Sequence, residues 1–181
     1  MRRRTMLAAA AGTLATTALP RKPRAESLPP VAEGMHLVEP PVPAPDTPFR
    51  GQDGSVHHLA DFKGHGMLVN MWATWCAPCG AEMPSLQALS KALAPDDIAV
   101  LPLSSDRGGA SVVADWYRAH GITNLPILLD PKGQMAHALN VRGIPTTIII
   151  DTAGMVVARL EGGADWGSPE AQAVIRKLVA G

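Results

Sequence analysis

A chain of 181 residues, 46% of them hydrophobic, can bury one packed core of ordinary size and still carry a tail. Its sixteen basic and sixteen acidic residues cancel, but Arg2, Arg3, Arg4, Arg21, Lys22 and Arg24 all precede the first acid, Glu26. Beyond them ten basic residues stand against sixteen acidic ones, a net of −6, which excludes a basic nucleic-acid face from the folded part.

Residues 1–25 have the layout of an export signal rather than of a folded element. Three arginines precede a small, apolar run over 6–19, and Arg3-Arg4-Thr5-Met6-Leu7 resembles a twin-arginine signal. The run falls short of the about 20 residues that a spanning helix needs. A periplasmic or otherwise exported protein, soluble once the signal is cleaved, is therefore expected in preference to one held by an N-terminal anchor. Nine of the seventeen prolines lie between Pro20 and Pro48. With no helical or strand period there, 26–46 is expected to be a Pro-rich linker and 47–181 the folded domain.

The domain opens with two short extended pieces around the turn signal Gln52-Asp53-Gly54, a small hairpin. The unbroken apolar run over 67–72 predicts a strand buried on both faces. A helix follows over 77–93, with Pro84 inside it, and a second parallel strand over 98–104. Residues 110–120 predict a helix closed by Gly121, and 127–129 a short extended piece ended by Asp130-Pro131-Lys132-Gly133. A short helix over 134–139, a hairpin of 146–151 with 155–161 across Thr152-Ala153-Gly154, and a terminal helix over 169–180 complete the pattern. Strands and helices alternate and then end in a hairpin and a helix, so the fold class is α/β with a central mixed sheet flanked by helices.

The only two cysteines are spaced as Trp75-Cys76-Ala77-Pro78-Cys79, where the buried strand hands over to a helix. Such a pair either exchanges disulfides or ligates a metal. Cys76 at the helix start meets the positive end of the dipole, which favours a thiolate and makes it the candidate nucleophile. Cys79, one turn in and more buried, would resolve a mixed disulfide. A metal site would need histidines or carboxylates to complete it, and His57, His58, His65, His120 and His137 are scattered. Pro78 suits a first helical turn and removes a donor that could bind a thiolate. Glu82 lies three residues after Cys79, on the same helix face. A second motif, Gly143-Ile144-Pro145-Thr146-Thr147, precedes the apolar strand over 146–151.

Together the two motifs resemble the thioredoxin superfamily, and within it the exported TlpA-like and ResA-like thiol:disulfide oxidoreductases, over roughly residues 45–181. The N-terminal hairpin and the central insertion over 108–139 fit that branch. The resemblance implies a thioredoxin-like fold and a dithiol/disulfide pair, Cys76 and Cys79, that reduces partner proteins. It implies that Pro145 is cis, packs beside the disulfide and offers neighbouring backbone to the substrate chain. It places Glu82 near the cysteines, able to relay the proton of Cys79. Ordinary thioredoxins carry a buried aspartate where this chain has Asn70, and an amide cannot act as a base, which gives Glu82 its interest.

Trp75 is expected to be an exposed contact surface beside the disulfide, whereas Trp72, Trp116 and Trp166 are expected to pack, and Ser104-Ser105-Asp106 to cap a loop. No cofactor and no metal is called for. The function expected is that of an exported reductase, a monomer, fed by a membrane thiol reductase. Its expected substrates are apocytochrome c or a copper protein of respiratory oxidase assembly. Two other classes stay open: a copper or zinc metallochaperone using the same cysteines, and a thiol peroxidase. The latter is disfavoured because Ala73, not threonine, lies three residues before Cys76.

Overall fold

The computed structural model of the protein describes residues 28–181, so the expected export signal and the first residues of the expected linker lie outside the described residues. The elements begin with a single helical turn, α1 (Val31–Gly34), and a long strand, β1 (Met35–Pro43). A hairpin of β2 (Phe49–Gly51) and β3 (Val56–His57) precedes the central strand β4 (Gly66–Trp72). Then come α2 (Ala77–Leu93), β5 (Ile98–Ser104), α3 (Ala110–His120), β6 (Leu128–Leu129) and α4 (Gln134–Ala138). The chain ends with β7 (Thr146–Ile150), β8 (Met155–Glu161) and α5 (Pro169–Ala180).

The strands form one mixed sheet in the order β1-β8-β7-β4-β5-β6-β2-β3, with β5 parallel to both β4 and β6 and every other pair antiparallel. Every residue of β4 is buried, as a strand covered on both faces requires. Leu68 and Trp72 point into a core shared with Met83, Leu86 and Leu89 of α2 and with Ile175 and Val179 of α5. Met67, Val69 and Met71 point into the opposite core, with Phe49, Leu103, Met135, Ile148 and Ile150. The helix that carries the cysteines thus shares this core while lying mainly over β5 and beside α5, and its N-terminus is fixed where β4 ends.

Within the expected linker, residues 31–43 are not a linker but part of the fold. Met35–Pro43 pairs antiparallel with β8, Met35 opposite Leu160 and Pro43 opposite Met155, and Val31 is wholly buried in the α2 and α5 core. The prolines misled because an edge strand pairs on one side only, so a residue without an N–H is tolerated there. The register shifts between Leu37 and Val42, a stretch that includes Pro40 and Pro41. Leu37 and Val42 remain exposed, so the alternation that marks a half-buried strand is absent.

Deleting residues 1–43 is therefore expected to cost at least about 2 kcal/mol, the scale of burying one valine side chain, and to lower the urea midpoint accordingly. An unchanged midpoint would return the segment to linker status.

Candidate active site

The site is built where β4 runs out. Trp72 ends the strand, residues 73–75 turn, and Cys76 stands as the N-cap of α2, with Pro78 in the first turn. Cys76 and Cys79 are joined as a disulfide. The backbone N–H of Cys79 points at Cys76 Sγ at 3.3 Å, so an orphan donor of the helix start faces the sulfur that would carry negative charge. Cys79 is fully buried and Cys76 is 7% exposed. Cys76 is thus the more accessible sulfur, though far more covered than an exposed nucleophile would be. Trp75 beside it is 71% exposed.

The turn is tied down from the next strand. Asp106, buried just past β5, accepts from the Thr74 backbone N–H at 2.9 Å, the Thr74 hydroxyl at 2.7 Å and the Ser104 hydroxyl at 2.7 Å. A residue expected only to cap a loop instead holds the approach to Cys76. On the other side, the Ile144–Pro145 bond is cis, and the Ile144 carbonyl oxygen lies 3.7 Å from Cys76 Sγ. The Thr146 hydroxyl donates to the Gly143 carbonyl at 2.7 Å, and Gly162 N–H donates to the Pro145 carbonyl at 2.9 Å. Below, Trp72 packs edge-on against Trp116 and stacks on Tyr117. Trp116 lies so close to Gly80 that a Cβ there would come within 3.1 Å of its ring.

Glu82 is wholly buried beneath this surface, on the face of α2 that also buries Cys79 and Met83. Its Oε1 accepts from Asn70 Nδ2 at 2.8 Å. Its Oε2 accepts from the Trp166 indole N–H at 2.9 Å and the Ala164 N–H at 3.1 Å. Burial pushes the carboxyl group above the usual glutamate range, and the hydrogen bonds from Trp166, Asn70 and Ala164 pull the other way without cancelling it. Asn70 also donates to the Thr147 hydroxyl at 3.0 Å, its partner residue across the β4–β7 ladder. The structure brings Cys76, Cys79, Pro145, Glu82, Asn70, Trp75 and Pro78 into one region.

Sequence reasoning missed Trp166, expected to pack and in fact both packing and donating to Glu82, and missed Asp106 as an anchor. Trp166 sits in the loop after β8, where no periodicity signals a partner. Among the described residues no three His, Cys, Asp or Glu side chains stand together as a metal cluster, and no helix is long and apolar enough to cross a membrane.

A disulfide at a helix start, its inner sulfur buried and a carboxyl group one turn further along, is arranged for exchange with another dithiol or disulfide. Fold and site together define a thioredoxin-like thiol–disulfide oxidoreductase. Residues 41–159 match the AhpC/TSA family, and the chain belongs to it. Over 119 residues it is 34% identical to the thiol-disulfide oxidoreductase ResA of Geobacillus kaustophilus, covering 66% of this chain and 67% of that protein. A solved thiol:disulfide interchange protein of the thioredoxin family from Chlorobium tepidum superposes with a TM-score of 0.64 at 25% identity, over 77% of this chain and 97% of that one. An exposed lipoprotein thioredoxin from Streptococcus pneumoniae gives a TM-score of 0.60 at 30% identity, over 74% and 98%.

The balance at Glu82 sets a pH dependence. Its folded carboxyl keeps a proton that the unfolded chain has already lost, so stability falls as pH rises from about 4.3, the ordinary glutamate value, through the higher folded value. Trp166→Phe removes one donor to the charged form while keeping most of the apolar bulk. Its loss of stability is expected to be larger, by about 1–2 kcal/mol, above the Glu82 titration than below it, because hydrogen bonds to charged groups are the stronger. Urea unfolding across pH checks this; a deficit independent of pH would reduce the indole to a packing group.

Proposed function

We propose that the protein is an exported reductase that opens disulfides in other proteins. The observation that carries this is the Cys76–Cys79 disulfide, with one sulfur at the helix N-cap and the other buried. In the reduced state the Cys76 thiolate, held by the helix dipole and the Cys79 N–H, attacks a substrate disulfide. A mixed disulfide forms and one substrate sulfur leaves as a thiolate. Cys79 gives up its proton, with Glu82 as the acceptor, and attacks Cys76 Sγ. The second substrate sulfur leaves, and two electrons have passed to the substrate. The Ile144 carbonyl and the cis Pro145 beside it provide backbone for the substrate chain, and Trp75 provides an apolar contact.

Ala77-Pro78 supports the direction. Neither side chain carries a charge or a donor that could stabilise a thiolate, so the couple belongs nearer the about −270 mV of thioredoxin than the about −120 mV of a strong oxidant. Export is supported by the basic and apolar pattern of residues 1–25 and by the likeness to an exposed lipoprotein thioredoxin. In an oxidising compartment a membrane thiol reductase must restore the dithiol. Apocytochrome c and a copper protein of oxidase assembly are the proposed substrate classes.

Trapping tests the function. Cys79→Ala is expected to accumulate mixed disulfides through Cys76 with its partners in the exported compartment, identifiable by mass spectrometry; no captured protein under conditions where the wild type turns over would contradict it. In the reduced wild type, iodoacetamide at neutral pH is expected to modify Cys76 at least about tenfold faster than Cys79, since only Cys76 combines access with stabilisation of its thiolate. Equal rates would overturn the division of roles.

A further inference from the structure

The partners of Glu82 are all donors. Oε2 is held by two N–H groups, from Trp166 and Ala164, and Oε1 by the amide of Asn70. That arrangement fits a carboxylate, which only accepts. It does not fit a carboxylic acid, whose own O–H needs an acceptor. A proton on Oε2 would displace two donors. A proton on Oε1 would meet only one, the Nδ2 of Asn70.

Asn70 carries the acceptor that is needed. Its Oδ1 is buried and has no hydrogen-bond partner among the described residues, while its Nδ2 serves both Glu82 and Thr147. Turning the amide half a revolution about its last torsion exchanges the two atoms, and that torsion is broad and roughly two-fold. Oδ1 then faces Oε1 and can accept its proton, and Nδ2 takes the place without a partner. The Thr147 hydroxyl, an acceptor in the present arrangement, can donate to Oδ1 in the other. Nothing else needs to move, and the number of unpartnered amide atoms stays the same.

We propose that Asn70 is a positioning residue for Glu82 whose side-chain amide turns over when Glu82 gains a proton, holding the carboxyl in both of its charge states. This rests on the reading of Glu82 as acceptor of the Cys79 proton. It also accounts for an amide at this strand position. An aspartate there would set a second carboxylate about 2.8 Å from Glu82 Oε1, and two such charges cannot both persist in a dry site. Among the described residues no charged side chain enters the balance at Glu82. Burial and the bonds from Asn70 of β4 and from Ala164 and Trp166 of the loop after β8 account for it. On its own helix the neighbour is Cys79, which carries a proton only once the disulfide is reduced.

Proton NMR of protein labelled with 15N at asparagine side chains and tryptophan indoles, and with 13C at glutamate, tests the turn. With Glu82 charged, the Asn70 amide protons and the Trp166 indole proton bond the two oxygens of one carboxylate and give a cross-relaxation peak. That peak is expected to be lost as pH falls, with the midpoint read from the Glu82 carboxyl carbon. In Glu82→Gln, whose side-chain NH2 imitates the protonated form facing Asn70, the peak is expected to be absent at every pH. A peak that persists through the Glu82 titration overturns the turning amide and leaves the proton role of Glu82 intact. A Glu82 carbon that shows no titration, in either the oxidised or the reduced protein, overturns both.

Discussion

Everything near the sulfurs is organised by one buried carboxylate. Glu82 has no exposed surface and, among the described residues, no charged partner; it is held by three N–H donors from two parts of the chain, β4 and the loop after β8. An ion so placed is tolerated only because those donors replace water. The consequence is mechanical as well as electrostatic. To satisfy Glu82, α2 must lie against β4 at the turn that presents Asn70, and the loop after β8 must close over the helix with Ala164 and Trp166. The same contacts that satisfy the charge fix the helix whose N-cap is Cys76.

A second clamp acts on the turn before Cys76. Asp106 binds Thr74 through backbone and hydroxyl and is itself braced by Ser104. β4 and β5 run parallel, with Trp72 opposite Ser104, so both strands end at the same edge of the sheet, where α/β folds place their chemistry. The turn bearing Trp75 and Cys76 is therefore tied to the end of β5 by one buried aspartate, while the helix that follows it is tied to β4 and the loop after β8 by Glu82. On the facing side the strand pair of β7 with β4 brings Thr147 to Asn70 and sets the cis-proline loop beside Cys76.

How much of this was legible depends on the kind of signal each part leaves. β4 and α2 follow from an unbroken apolar run, then a Cys-x-x-Cys with Pro78 at a helix start, and they appear almost to the residue. Asn70 was visible as a polar residue inside an apolar strand, and Glu82 by its spacing from Cys79. β1 was not visible, because an edge strand rich in proline and exposed on one side lacks alternation. Trp166 was not visible as a partner of Glu82, because the two residues lie 84 positions apart and meet only when the loop after β8 folds back. Asp106 could have been suspected from Ser-x-Asp at the end of a parallel strand, but its partner, Thr74, is decided by sheet order rather than by local pattern.

If the carboxylate that organises the site also handles the proton of Cys79, then the rate of substrate-disulfide reduction must carry its titration. Single-turnover reduction of a model protein disulfide by wild type and Glu82→Gln, followed over a range of pH, measures this directly. The wild-type profile is expected to contain a limb set by Glu82, above the usual glutamate range because of its burial, and the variant is expected to lose that limb while keeping its fold. Superimposable profiles would contradict the account and leave Glu82 as a structural charge alone.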